Sequence, residues 1–508
     1  MTATTDGEHD ILRAPQTALG PAHAGRSAPT ALSARAAWLA LAVILLVGGM
    51  LRFYNIDWDE GQHLHPDERF LTMVTENLRW PASLAEYWDT PSNPLNPYNH
   101  GFGSYVYGLS PVIMAKALGE LTGYTGYGGV YLAGRAMSAA MDLLSIVLVY
   151  LIGRRLYDRR VGLLGALLLS LSVLPIQHAH FFTVDPPTTL YVTLALYLAV
   201  RVAQGGGWPS MLGLGVAFGL AVSAKISVLS FLGVIGLALL QRALAGWERD
   251  ALLAPGLLLA WGRRVGRFSL AVRVAAEEAG DRRHALDGLL LRVLPAAWWL
   301  GVILFVAVLT FRVVQPQAFS GPGFFGLRPN PAWVQDMDSI QRLVTGETDY
   351  PPSHQWTARE PVWYALENLV LWGLGLPLGL AVWAAWGLMA YEMARGRWTH
   401  ILPWAWMTFT FFYQSVQFVK TVRYMLPIYP TMALVAAYGL ARAWDLARER
   451  AARPGARGAT RLLPYLAGGA GGLVVLGTAA WALAFMSIYT RPVTRVEASR
   501  WIYENIPP

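Results

Sequence analysis

Seven titratable side chains crowd the stretch that follows the first apolar run: Asp57, Asp59, Glu60, His63, His65, Asp67 and Glu68. Carboxylates at the exit of a membrane helix can serve as a general base at the bilayer surface, where a neighbouring acid and partial desolvation tune proton affinity. A solvated acidic loop is the plainer reading of such a cluster. The spacing argues against it. Pro66 holds His65 extended and can open a helix at its own position, which puts Asp67 and Glu68 in the first turn of a helix running on to Leu78. Two adjacent carboxylates are then mounted at a helix start facing the membrane.

A base that takes a proton from an acceptor needs cations to neutralise a departing anion. Of the 40 basic residues only three are lysines, Lys116, Lys225 and Lys420, so arginine is this sequence's default cation. Lys225 stands between two apolar runs in Ser223-Ala224-Lys225-Ile226-Ser227, a costly place for a charge unless it meets an anion or a carboxylate. Lys420 and Arg423 lie just before another apolar run, well placed for a phosphate. For each of them, snorkelling to the interface is the competing reading. Asp185 follows His178 and His180, and with Asp57 and Asp59 it could offer hard oxygen ligands to a divalent cation; a His-x-His pair in an apolar stretch is otherwise an interfacial or hydrogen-bonded pair.

The elements that must position these groups are membrane helices. The chain is 55% apolar and 14% charged, with a mean hydropathy of +0.37, whereas a soluble domain carries roughly a quarter charged residues. A purely soluble enzyme is excluded. The net charge of +8 is scattered among apolar runs, which suits anionic lipid headgroups and not nucleic acid. Without a single cysteine, catalytic thiols, thiolate metal sites and disulfides are ruled out. Apolar runs of spanning length fall at 36–53, 130–152, 161–178, 187–203, 209–224, 226–243, 290–313, 364–390, 401–418, 425–443 and 464–488. These predict an all-α polytopic protein of eleven spans. The first run continues into Arg52, Phe53 and Tyr54 without a small-residue cleavage site, and so reads as a retained signal anchor behind a disordered tail, 1–35. Phe102–Gly119, short and carrying Tyr105, Tyr107, Pro111 and Lys116, reads as an interfacial helix.

With the amino terminus inside, the arginine-rich stretches at 154–160, 242–292 and 442–461 all face inward, as the positive-inside rule requires. Two long outer loops follow, 54–129 and 314–363, both rich in Trp, Tyr, Pro, Asn and acids. The inner segment 245–289, with Arg263, Arg264, Arg267 and Arg273 among Leu, Val and Phe, resembles a basic amphipathic helix on the inner leaflet. The later outer loop gathers Asp336, Asp338, Glu347, Asp349, His354, Gln355 and Trp356, types that suit sugar recognition. Residues 491–508 read as the start of an outer segment or of a truncated soluble domain.

Arg52-Phe53-Tyr54-Asn55-Ile56 followed by His65-Pro66-Asp67-Glu68-Arg69-Phe70 resembles the first outer loop of the protein O-mannosyltransferase and aminoarabinose transferase superfamily, glycosyltransferase family 39, whose fold is the C-type membrane glycosyltransferase fold. Asn99-His100-Gly101-Phe102-Gly103 is similar to the family's juxtamembrane segment. Arg135-Ala136-Met137-Ser138 leading to Leu148-Val149-Tyr150-Leu151, Phe182-Thr183-Val184-Asp185-Pro186, and Arg423-Tyr424-Met425-Leu426-Pro427 resemble three further motifs in the family's order. The resemblance implies an inverting transferase. It takes a sugar from a polyprenyl-phosphate carrier at the outer face of the inner (plasma) membrane and passes it to a lipid, glycan or protein acceptor. It implies Asp67 as the catalytic base, with Glu68 positioning the acceptor or tuning Asp67, although the earlier pair Asp59-Glu60 leaves the choice of base open. Asp59, Glu60, His65, Arg135, Asp185, Lys225, Lys420, Arg423 and Tyr424 are the candidate substrate-binding residues, Arg135 by pairing with an acid of the first loop. The families it most resembles are generally metal-independent, so no cofactor is expected, a divalent cation being the alternative. No glycine-rich phosphate loop is present, so a nucleotide sugar is not the expected donor. The rival from another class is a transporter or flippase of lipid-linked sugars, with Lys225 and Asp142 lining its pathway; a carrier-binding scaffold without catalysis is a second.

Overall fold

The computed structural model describes residues 32–245 and 283–507; the tail before residue 32 and most of the 245–289 insert lie outside the described residues. The described residues are almost wholly helical, with one short antiparallel pair among them, β1 (Phe319–Ser320) and β2 (Arg328–Pro329), with Phe319 opposite Pro329.

The first helix, α1 (Ala34–Phe53), is capped by Ser33, whose hydroxyl accepts from the Ala36 amide at 3.1 Å. Three helices of the first long loop follow, α2 (Pro66–Asn77), α3 (Leu84–Trp88) and α4 (Leu109–Thr122). α5 (Val130–Leu156) leads into a broken pair, α6 (Arg159–Ser170) and α7 (Val173–Ala179), bent by 58°. Then come α8 (Asp185–Ala203), α9 (Trp208–Ala224) and, after a 3-10 turn at Ile226–Phe231, α10 (Leu232–Leu244). Beyond the insert lie α11 (Arg283–Val314), α12 (Pro331–Thr345) and α13 (Trp363–Asn368), the last continuing through a π turn to α14 (Leu376–Ala394). α15 (Ile401–Ser415), a 3-10 turn at Val422–Ile428, α16 (Tyr429–Ala451), α17 (Ala459–Met486) and α18 (Thr494–Asn505) complete the chain.

Each of the eleven apolar runs falls on helix. Among the described residues, six helices are long and apolar enough to cross a membrane by themselves, seven when the α6–α7 pair counts as one broken span. The run read as a single span at 161–178 is that broken pair, and 364–390 is interrupted at Gly375, whose φ of +79° stops the π turn before α14. Phe102–Gly119 is helical only from Leu109 and, at 14 residues, α4 is too short to span.

The break after Ser170 exposes backbone carbonyls inside an apolar bundle, where each unsatisfied group is costly. Arg52 resolves this. Fully buried, it donates to the carbonyls of Ser170 at 2.9 Å and Leu169 at 3.3 Å, and its Nε pairs with Asp142 at 2.5 Å. The charge inside α5 is thereby neutralised, and α7 is turned so that the following loop, 180–184, meets the loop after α1 and the start of α2. The core lies where α5, α6, α8 and α16 meet, around Tyr150, Leu168, Leu196, Met432 and Val435.

Candidate active site

Pro66 occupies the first position of α2 and His65, with φ −84° and ψ 120°, is its N-cap; the His65 Nδ1 accepts from the Glu68 amide at 3.4 Å. Asp67 and Glu68 therefore share the first turn, but they point to different partners. Glu68 has no exposed surface. It accepts from Arg135 Nε at 2.9 Å and Nη2 at 2.5 Å, and from the Phe182 amide at 2.7 Å. Arg135, on α5, also reaches Asp59 at 2.8 Å and the Ile56 carbonyl at 2.8 Å.

One guanidinium thus holds together the loop after α1, the start of α2 and the loop before α8. Between them, Asn55, Glu60 and His63 adopt left-handed backbone, φ 47°, 52° and 48°, a conformation costly for residues other than glycine and maintained only where surroundings over-determine it. Close packing completes the lock: a Cβ at Gly134 would come within 2.2 Å of the Phe182 ring.

Asp67 projects the other way and pairs with Arg423 of the 422–428 turn, the two side chains being 15% and 28% exposed. Beside them Lys225, at the end of α9, donates to Asp185 at the start of α8, 2.6 Å away. Tyr424 links the two pairs, with Lys225 Nζ 4.3 Å and the Arg423 guanidinium 5.6 Å from its ring centre. Pairs 40 and 356 positions apart in sequence are brought into one cluster of two acids and two cations. His65 stacks on Phe181 at 4.5 Å, and burial, against the pull of Asp67, pushes its pKa below the ordinary 6.5.

The remaining candidates stand apart. Asp59 is fully buried, spent on Arg135 and the Leu64 amide. Glu60 is exposed and pairs with Arg500 of α18. Lys420 is buried and donates to the Phe418 carbonyl at 3.4 Å, and burial lowers its pKa; Lys116 pairs with Glu120 at 2.8 Å. Asp57 accepts from the Tyr131 hydroxyl at 2.7 Å and shares Arg135 with Asp59, whereas Asp185 faces Lys225; among the described residues no three His, Asp or Glu side chains converge as a metal-holding group. His180 is hydrogen-bonded to the carbonyls of Ile176 and Tyr54. In the 314–363 loop Asp336 is a strut, accepting from the Tyr98 hydroxyl at 2.5 Å and the Tyr105 amide at 2.7 Å; Asp338 pairs with Arg342, and Asp349 with His354. Asp142, placed on a pathway by the transporter reading, is buried against Arg52.

Two groups of the cluster escaped the sequence reading. Tyr107 faces the Asp67 carboxylate, and burial together with that carboxylate pushes its phenol well above the usual range. His178 lies in the field of Asp185, His65, Arg423 and Lys225. Tyr107 was legible only as one more aromatic before α4; His178 was legible as a histidine seven residues before Asp185 in an otherwise apolar stretch.

The model of the dolichyl-phosphate-mannose-protein mannosyltransferase family matches residues 126–260, a stretch that holds two of the five motifs, those at Arg135 and at Asp185. No curated protein matches the sequence. Among solved structures, the oligosaccharyltransferase of Archaeoglobus fulgidus is similar in its apo form over 93% of this chain, with a TM-score of 0.54 and 16% identity. The same enzyme, AglB, in complex with an inhibitory peptide and a dolichol-phosphate gives the same TM-score and identity. The chain covers 58% of that protein's length. ArnT from Cupriavidus metallidurans bound to undecaprenyl phosphate is matched over 93% of this chain and 81% of its own, at 16% identity and a TM-score of 0.45. The resemblance read from the motifs is thus borne out, and the chain is a multi-span membrane protein with the fold of the C-type membrane glycosyltransferases.

Proposed function

We propose that this protein is an inverting glycosyltransferase that takes a hexosyl or pentosyl group from a polyprenyl-phosphate carrier and passes it to a lipid, glycan or protein acceptor. The transmembrane module, 36–490, acts at the outer face of the plasma membrane with its amino terminus in the cytoplasm. The observation that carries this reading is the cluster Asp67–Arg423 beside Asp185–Lys225: two cations, each partly open to solvent, set next to the Asp67 carboxylate, which Tyr107 also faces.

The chemistry follows from that arrangement. A carrier phosphate competes with Asp67 and Asp185 for Arg423 and Lys225, and charge-assisted hydrogen bonds to phosphate are among the stronger ones available. An arginine engaged by phosphate leaves an Asp67 oxygen open to the acceptor hydroxyl. The acceptor oxygen attacks the anomeric carbon as its proton passes to Asp67; the carbon–oxygen bond to phosphate breaks, and the departing phosphate takes the electron pair and is stabilised by the two cations. Asp185 keeps Lys225 aimed in the ligand-free state. Glu68, closed in by Arg135 and Phe182, acts through position alone: it fixes the first turn of α2 from which Asp67 projects.

The test is sugar release from a panel of synthetic polyprenyl-phosphate sugars by the purified protein in nanodiscs, with native lipid extract as acceptor. Asp67→Asn is expected to lower turnover by at least about a thousandfold while the protein remains folded and still binds the carrier. Turnover by that variant at the wild-type rate would sink the assignment.

A further inference from the structure

Next to the cation cluster lies a cleft that the chemistry above does not use. It is enclosed by the 226–231 turn, α15 and the 422–428 turn, and Lys225 and Tyr424 form its rim. Its walls mix polar groups with Val228, Tyr413 and Pro427. Ser227 and Ser230 line one side. On the other, Trp406, Thr410 and Gln414 recur at every fourth position of α15 and so make one stripe along it. Hydroxyls with an indole beside them are what a sugar ring uses.

Thr410 gives the more specific sign. The hydroxyls of Thr408 and Ser415, on the same helix, bond back to the carbonyls of Trp404 and Phe411, each at 2.6 Å, the usual resource of a hydroxyl in a membrane helix. Thr410 makes no such bond: only 6% exposed, its Oγ1 is buried without a hydrogen-bond partner. An unsatisfied buried hydroxyl costs about 1–3 kcal/mol, and a ligand hydroxyl in the cleft would supply the missing partner. Trp406, by contrast, donates its indole N–H to the Pro427 carbonyl at 3.2 Å, which fixes its ring as a rigid wall.

We propose that the stripe Trp406–Thr410–Gln414, with Ser227 and Ser230 facing it, is the subsite that reads the hydroxyl pattern of the donor sugar. This deepens the proposed function and rests on it: a phosphate held by Lys225 and Arg423 delivers its glycosyl group past Tyr424 into the cleft. Thr410 and Gln414 hydrogen-bond the ring hydroxyls, and specificity arises because a donor lacking the matching hydroxyl leaves these groups unpaired.

The experiment compares binding of two probes to nanodisc-embedded protein. One is sugar-free polyprenyl phosphate; the other is the member of the glycosylated panel that wild type binds best, with its monodeoxy analogues. Thr410→Val and Gln414→Leu are each expected to weaken the glycosylated carrier by about tenfold and to flatten the difference between it and one deoxy analogue, with sugar-free carrier held within about twofold. Thr410→Ser, which keeps the hydroxyl, restores wild-type discrimination, so a packing defect is told apart from a lost hydrogen bond. An equal loss for both probes would assign the cleft to the phosphate or the prenyl chain and overturn the proposal, as would no change in either. A wild-type protein that binds neither probe overturns the carrier reading itself, and that outcome is seen before any variant is made.

Discussion

Two polar clusters sit at opposite ends of α15, about 22 Å apart along the helix axis, and they use hydrogen-bonding capacity in opposite ways. At the Ile401 end, Glu392 of α14 is saturated. Its Oε1 accepts from Arg397 at 3.0 Å and Arg442 at 3.1 Å; its Oε2 faces His400 Nε2 at 3.1 Å and accepts from the Tyr438 hydroxyl. The other ring nitrogen of His400 meets the Tyr157 hydroxyl at 3.0 Å. One carboxylate with four partners, and His400 through Tyr157, closes the ends of α5 and α14 onto the middle of α16. At the Ser415 end, Lys225 gives one of its three N–H donors to Asp185, and Arg423 one of its five to Asp67. The Glu392 carboxylate spends its acceptor capacity on holding helices together, whereas the cations Lys225 and Arg423 keep donors that can hold something else.

Arg135 tests this rule most severely, because it lies beside the site yet is saturated like Glu392. Arg135→Met would leave Asp59 and Glu68 buried without a counter-charge, and removing one partner of such a pair costs about 3–5 kcal/mol. The expected result is a large drop in thermal stability in nanodiscs, with transfer lost because the protein no longer folds. A Met variant that is stable but inactive would instead put Arg135 among the groups that bind substrate.

The sharpest contrast comes from a matched pair. Glu392→Gln should lower stability by about 1–3 kcal/mol and leave turnover per folded molecule unchanged. Arg423→Ala should do the reverse. Its partly exposed ion pair contributes at most about 1 kcal/mol to stability, while sugar-free polyprenyl phosphate should bind about 30-fold more weakly for want of a charge-assisted contact. Calorimetry of both variants with a carrier-binding titration reads the four numbers. If Glu392→Gln weakens the carrier as much as Arg423→Ala does, unspent donors are not what distinguishes the two ends.

The sequence disclosed the outline of this arrangement more readily than its wiring. Pro66 announced the helix start and hence the turn that carries Asp67 and Glu68, because proline's fixed φ acts locally. The spans were legible because apolar length is a local property, but the break between α6 and α7 was not: it depends on Arg52, 118 residues before the carbonyl of Ser170 that it satisfies. The same limit applies to the acids. Asp59, Glu60, Asp67 and Glu68 look alike in sequence; only the long-range contacts to Arg135, Arg423 and Arg500 divide them into two buried struts, one surface pair and one open carboxylate. Thr410 and Gln414 were visible as polar residues in an apolar run, but their neighbours Thr408 and Ser415 were equally so, and what separates them is the back-bonding geometry of each hydroxyl and the cleft on one side of α15.

The smallest effect concerns the cap that sets the site's first turn. His65 caps α2 through Nδ1 and stacks on Phe181, and burial keeps its pKa below 6.5. Its protonated form cannot accept the Glu68 amide. The unfolded chain, whose imidazole titrates near 6.5, therefore binds more protons than the folded protein as pH falls through that value, and stability declines with it. His63 shares the direction, again chiefly through burial. Thermal midpoints measured between about pH 7.5 and 5 should fall in wild type and fall less in His65→Asn, which retains a capping acceptor that does not titrate. The residual slope then belongs to His63 and the other buried histidines. Should acid stabilise the wild type, or His65→Asn steepen the decline, the imidazole is charged in the folded state, and its place beside Asp67 becomes that of a third cation in the open cluster.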